Sequence, residues 1–216
     1  SQDNKGPAIG MLYVMECIRD LKLTVGHQLC LFVGSDEERG MEDLEYYTEN
    51  YPTPAISMIA DCGFPVCYGE KGIIEGKTVS LGTMSESVLE FYGGSAGNII
   101  PDKAVLAVKK DSITEKQLEQ LKGLEQPSPE ESLITVEEKE DRIVVTAKGS
   151  GGHSAFPEGS TNAIQVLCKA VLSAAFLTAQ DRKLVETVCE GTSGNYGEAF
   201  GIQYEDIESG CLTCVG

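Results

Sequence analysis

Three groups of carboxylates stand where chemistry could use them: Asp3, the run Asp36-Glu37-Glu38, and Asp61. The second and third directly follow or closely trail short apolar runs, residues 29–33 and 55–60, that read as strands buried on both faces of a parallel sheet. In open α/β sheets, ligands collect at the carboxyl ends of the strands, so acids placed there converge on one edge. Carboxylates sharing a crevice repel each other unless protons or cations intervene, and hard or borderline cations are the usual answer. The pattern points to a metal site. Any one group taken alone serves equally well as a helix cap after a strand.

Those acids need elements to position them. Gly6-Pro7 suits a helix start, and Ile9, Leu12, Tyr13, Cys17 and Leu21 recur at helical spacing up to about Lys22. Pro52 and Pro54 mark a loop between the two predicted strands. From about Ile73 the character changes. Residues 88–92 and 104–108 are short strand-like runs, and Ser112-Ile113-Thr114-Glu115 reads as a capping box opening a helix with Leu118, Leu121 and Leu124 on one side. Residues 133–136 and 143–147 flank a charged turn as an antiparallel hairpin, and a helix is predicted from Thr161 to about Thr178 with Ile164, Leu167, Val171 and Leu172 buried. Strand, helix, hairpin and helix predict an α/β sandwich of ferredoxin-like type. The expected division is a metal-binding part at 1–72 and a second domain at 73–216.

Composition narrows the function classes. With 34 acidic and 17 basic side chains the formal charge is −17, which disfavours nucleic-acid backbones and anionic membrane surfaces as partners. At 41% hydrophobic residues the chain can bury a core, and its apolar runs fall short of the roughly 18 residues that cross a bilayer. The eight cysteines lie mostly in apolar segments and read as reduced thiols of a cytoplasmic protein. Cys211-Leu212-Thr213-Cys214 has zinc-knuckle or redox spacing, but no second such pair or nearby histidine completes a site. Ser1 is preceded by no methionine or signal peptide and Gly216 follows a strand-like run, so the chain is expected to be an internal fragment.

Asp3-Asn4-Lys5-Gly6-Pro7, Gly34-Ser35-Asp36-Glu37-Glu38, Asp61 with Phe64-Pro65, and Gly69-Glu70-Lys71-Gly72 occur in that order. They are followed by Gly93-Gly94-Ser95-Ala96-Gly97-Asn98, by His153-Ser154-Ala155-Phe156-Pro157-Glu158-Gly159, and by Gly197-Glu198-Ala199-Phe200-Gly201. The ordered set resembles the co-catalytic zinc aminoacylase, carboxypeptidase G and dipeptidase family of metallopeptidases, most of all its PepV-type dipeptidases. The resemblance implies a zinc-peptidase-like α/β catalytic domain, partly present, followed by a ferredoxin-like lid domain inserted into it. It implies two zinc ions in the parent enzyme, with Asp3 bridging them, Glu38 binding one and Asp61 the other. Glu37 matches the general base that takes a proton from the attacking water, and the reaction would be hydrolysis of a dipeptide or similar small amide.

His153 follows the flexible segment Gly149-Ser150-Gly151-Gly152 and matches the family's lid histidine, which could donate to the oxyanion formed during attack. A turn histidine that only organises its loop is the alternative. Asn98 has the same two readings, facing substrate or holding its own loop. The family also supplies one histidine ligand to each zinc, and neither is present. His27 sits before a predicted strand, and Cys62-Gly63 stands where PepV-type sequences carry Ala-Asp. The polypeptide is therefore expected to hold half a metal site and to be inactive alone. Competing readings are a non-catalytic or interaction module derived from such an enzyme, and a magnesium-dependent carboxylate enzyme needing no histidine. Neither a particular amide substrate nor an oligomeric state is read from these residues.

Overall fold

The structure is a computed structural model that describes residues 4–37, 40–63, 65–125 and 133–216. The chain divides into two compact units, Ser1–Glu70 and Lys71–Gly216. In the first, the helical spacing after Pro7 produces α1, Lys5–Asp20, close to its predicted bounds. A second helix, α2, spans Glu42–Asn50 with Glu42, Asp43 and Glu45 in its first turn, where acids favour the positive end of the helix dipole.

Residues 28–34 and 55–60, predicted as strands, join no sheet. A run meant for burial on both faces needs strand neighbours and covering layers. Among the described residues of this unit none is buried, and Val33 and Ile59 are 70% and 82% exposed. The parallel sheet expected in residues 1–72 is thus absent from the described residues, because nothing here completes its ladder.

The second unit is built on an antiparallel sheet. Its strands are β1 (Val88–Gly93), β2 (Lys103–Lys109), β3 (Ile134–Glu138) and β4 (Arg142–Lys148), in the order β1-β2-β4-β3. Register sets the faces. Ala104, Leu106 and Val108 pair with Ala147, Val145 and Ile143, while Ile134 and Val136 pair with Ala147 and Val145, so one face is apolar up to Glu138 at the end of β3. Helix α3 (Glu115–Lys122) contributes Leu121 to this core, α4 (Ala163–Ser173) contributes Leu167, Cys168 and Val171, and α5 (Ala179–Gly191) contributes Val185. Burial pushes the Cys168 thiol up to about 12, which leaves it an inert packing group. Two short strands, β5 (Glu205–Asp206) and β6 (Gly210–Cys211), form a separate hairpin. Among the described residues no helix is long and apolar enough to cross a membrane.

The predicted run of strand, helix, hairpin and helix is present as β2, α3, β3–β4 and α4, in a mixed α/β arrangement with β1 on the open edge of β2. Two local expectations are corrected. The capping box forms at Thr114 and Gln117, not at Ser112 and Glu115. Ser112 closes a 3-10 turn instead, its hydroxyl donating to Lys109 O at 2.6 Å. The helix predicted from Thr161 to Thr178 is confined to α4, because Thr161 pairs with Ser150 and the backbone reverses at Ala175, with φ of 53°. Thr178 then caps α5, a helix that the sequence reading did not predict.

One buried carboxylate ties this unit's leading segment to its helices. Asp181 is 1% exposed and accepts from Ser85 N at 2.7 Å, Ser85 Oγ at 2.6 Å and Thr178 Oγ1 at 2.7 Å. Burial alone would raise its pKa; the Ser85 and Thr178 donors outweigh that and hold the carboxyl below the usual range. Its contribution is therefore complete above the unfolded value near 3.8 and is lost as pH falls through the lower folded value. We expect Asp181→Ala to cost about 2 kcal/mol by urea denaturation at neutral pH, with Asp181→Asn costing less because an amide oxygen still accepts. The deficit of Asp181→Ala should shrink in strong acid. Limited proteolysis should cut within residues 65–83, which hold no helix or strand, before it cuts within the strands β1, β2 and β4.

Candidate functional site

Asp3 and Glu38, two of the three predicted metal ligands, lie outside the described residues, as does Phe64 of the Phe-Pro motif. The third, Asp61, is exposed and held in place. Asn4 Nδ2 donates to Asp61 Oδ1 at 2.8 Å and to Ala60 O at 3.0 Å. Asn4 occupies the N-cap position of α1 but makes no side-chain cap bond, its amide being directed to residues 60 and 61 instead. The helix start that follows Asp3 in sequence is thereby joined to Asp61, 57 positions further on. Asn4 Oδ1 is buried and has no hydrogen-bond partner among the described residues. Asp61 accepts through one oxygen and leaves the other without a partner among the described residues.

Glu37 is exposed on a loop anchored to α2 from both sides. Asp36 accepts from Glu42 N at 3.0 Å, and Asp43 accepts from Asp36 N at 3.0 Å and also from Ser35 N. These bonds, that from Ser35 foremost, hold the Asp43 carboxyl below its ordinary range against the opposing effect of desolvation. Asp36 is thus a loop fastener, the capping use that any acid after a strand could have had. Asp43 was missed by sequence reasoning, although an acid in the first turn of a helix is a readable signal. Packing of Phe32 on Tyr47 and of Tyr47 on Tyr51, at 4.9 and 5.3 Å between ring centroids, steadies the same loop and helix. His27 is exposed and belongs to no element. Among the described residues no group of three or more His, Cys, Asp or Glu side chains is gathered closely enough to hold a metal ion.

In the second unit, His153 sits on a loop whose base is a two-way bond between Ser150 and Thr161, at 3.0 and 2.9 Å. One flank is laced to the segment before β2, with Ile100 N donating to Gly152 O at 2.8 Å and Ser154 N to Asn98 O at 2.9 Å. Close approach demands glycine at Gly149, where a Cβ would collide with Thr161 O; at Gly152 a Cβ would displace only the rotatable Ser160 hydroxyl. The imidazole is exposed, and its Nδ1 accepts from Ala155 N at 3.1 Å. An accepting Nδ1 places the proton of the neutral ring on Nε2, which has no protein partner among the described residues and is left as a donor. Asn98 meets the loop through its backbone carbonyl. Cys211 and Cys214 are free thiols, and Cys214 instead forms a backbone bridge with Tyr196.

No family model matches the chain. Its similarity lies with individual proteins and runs nearly end to end. It is 25% identical over 217 residues to the Bacillus subtilis protein named "Putative dipeptidase YtjP", covering 98% of this chain and 46% of that protein. It is 26% identical over 230 residues to a Staphylococcus haemolyticus protein also named as a putative dipeptidase, covering 99% and 47%. It is 24% identical over 216 residues to the Beta-Ala-Xaa dipeptidase of Lactobacillus delbrueckii subsp. lactis, covering 98% and 45%. The chain spans about half the length of the curated relatives it matches.

The hydrogen bond to His153 makes a spectroscopic prediction. With only two histidines in the chain, long-range proton–nitrogen spectra resolve each ring, and neutral His153 should appear as the Nε2–H tautomer. A predominant Nδ1–H form would contradict the geometry.

Proposed function

We propose that this chain is part of a zinc-dependent peptidase that hydrolyses dipeptides or similar small amides. In this reading Asp3, Glu38 and Asp61 are metal ligands, Glu37 is the general base and His153 is the oxyanion donor. Similarity over 98% of the chain to a protein named Beta-Ala-Xaa dipeptidase supports the reaction class. The observation that supports the site is the Asn4 clamp, which fastens Asp61 to the residue that follows Asp3 in sequence.

The described part of the proposed donor set offers oxygen atoms of the kind a cation takes. Asp61 keeps one carboxylate oxygen uncommitted among the described residues, and a buried, unpartnered amide oxygen at Asn4 lies on the same clamp. Zinc, when bound, supplies Lewis acidity and makes a nucleophile available at neutral pH. The remaining work falls to the chain's own groups. Glu37, exposed on its double-anchored loop, takes the proton of the attacking water and delivers it to the departing amine. His153, with Nδ1 occupied, donates through Nε2–H to the oxygen that gains charge as the amide carbonyl is attacked.

Exposed apolar side chains on α1 and at 29–33 support the further reading that this chain works as part of a longer protein whose additional polypeptide covers them.

In the full-length protein, Glu37→Gln should lower kcat for dipeptide hydrolysis by about 10² to 10⁴ with KM little changed. His153→Ala should lower it by about 10² to 10³. Near-normal turnover in either variant removes that residue from the mechanism. Metal analysis of the 216-residue chain should find fewer than two tightly held zinc ions, and two would refute the claim that its site is incomplete.

A further inference from the structure

The His153 loop is well fastened on one side only by the segment before β2. Its base and near flank are held by Thr161, Ile100 and Asn98, but residues 155–160 turn back through bonds internal to the loop, Phe156 N to His153 O at 2.9 Å and Ser160 N to Pro157 O at 3.0 Å. Among the described residues, the hydrogen bond that leaves this far half for the rest of the fold comes from Tyr196, whose hydroxyl donates to Glu158 Oε1 at 3.0 Å. Glu158, five positions after His153, belongs to the same turn, with Pro157 between them fully buried.

Tyr196 is itself a fixed point. Its backbone bridges to Cys214, with Cys214 N donating to Asn195 O at 2.8 Å, and its own N–H donates to Glu198 Oε2 at 2.8 Å. Gly197 follows at φ of 85°, and a Cβ there would meet Ile202 Cγ1 at 2.7 Å, so the turn accepts little variation. The segment braces the loop at a second place. Asn162, which caps α4 through a bond from Ile164 N at 2.9 Å, also donates to Gly216 O at 2.8 Å. Loop tip and loop base therefore lean on the same stretch, residues 195–216. Glu158, by accepting the bond, holds the Tyr196 phenol above its ordinary range, so the hydroxyl stays a donor at neutral pH.

We propose that Tyr196 is a positioning residue for His153: through Glu158 it holds the far half of the 150–161 loop, so that Ala155 N–H stays on Nδ1 and Nε2–H stays aimed as a donor. The inference rests on the oxyanion role proposed for His153 but is tested without turnover. In the ¹⁵N-labelled 216-residue chain, Tyr196→Phe removes the hydroxyl and little else. The Ala155 amide should then exchange about tenfold faster, and the His153 nitrogens should move toward a tautomer average while those of His27 stay put. Glu158→Ala should reproduce this, and Glu158→Gln, which keeps an acceptor oxygen, should restore most of the protection. Unchanged Ala155 exchange and His153 signals in Tyr196→Phe overturn the proposal. So does an acceleration shared by the amides of β2 and β4, which marks general destabilisation. Failure of His153→Ala to lower turnover would remove the catalytic reading while leaving the tether standing.

Discussion

The antiparallel register between β2 and β4, running from Lys103 opposite Lys148 to Lys109 opposite Arg142, is the constraint on which the second unit depends. It puts Ala104, Leu106 and Val108 on one face with Ala147, Val145 and Ile143, and that face is what α3, α4 and α5 cover. A slip of one residue would turn every one of those side chains to the other face. The same pairing extends past the strands. Gly149 N donates to Asp102 O and Ile100 N to Gly152 O, so the two chains continue side by side until the histidine loop opens. The base and near flank of the His153 loop are therefore placed by sheet register.

The first unit lacks such a constraint. Its helices form where local periodicity and end signals favour them, yet an amphipathic helix draws most of its stability from what its apolar face packs against. Ile9, Leu12 and Tyr13 of α1 are all more than half exposed. What organises the unit is a small number of polar fastenings: Asn4 to residues 60 and 61, and the exchange of bonds between residues 35–36 and the start of α2. These fix the loop bearing Glu37 and the segment bearing Asp61 without a core beneath them.

The acidic excess acquires a second meaning from these fastenings. Asp43, Asp181 and Asp206 each gather several donors, and Glu138 is held down at about 2 by Lys122 and Lys110, which bracket it at 2.9 Å. Carboxylates accept several hydrogen bonds at once, so an acid in a loop is an efficient hub for backbone N–H groups that no ladder satisfies. Asp36 shows how the same residue type, in a cluster read as metal-binding, can be a structural hub while its neighbour Glu37 is exposed.

Period and punctuation in the sequence were enough for α1, for the four strands of the main sheet and for the start of α4, because each is set by neighbours within a few residues. They also made the acids and His153 legible as candidates. They misplaced the capping box by two positions, since both Ser112 and Thr114 carry the right chemistry and only the turn at 110–112 decides between them. They carried α4 past its end to about Thr178, because Leu172, Phe176 and Leu177 continue the apolar rhythm through the reversal at Ala175, and they left α5 with its cap from Thr178 to Asp181 unpredicted. Tertiary structure alone decided that residues 28–34 and 55–60 find no ladder, that Asn4 meets Asp61, that Asp181 meets Ser85, and that Tyr196 reaches Glu158. Such contacts join side chains whose separation along the chain has no period, so a one-dimensional pattern carries no trace of them until the backbone brings the partners together.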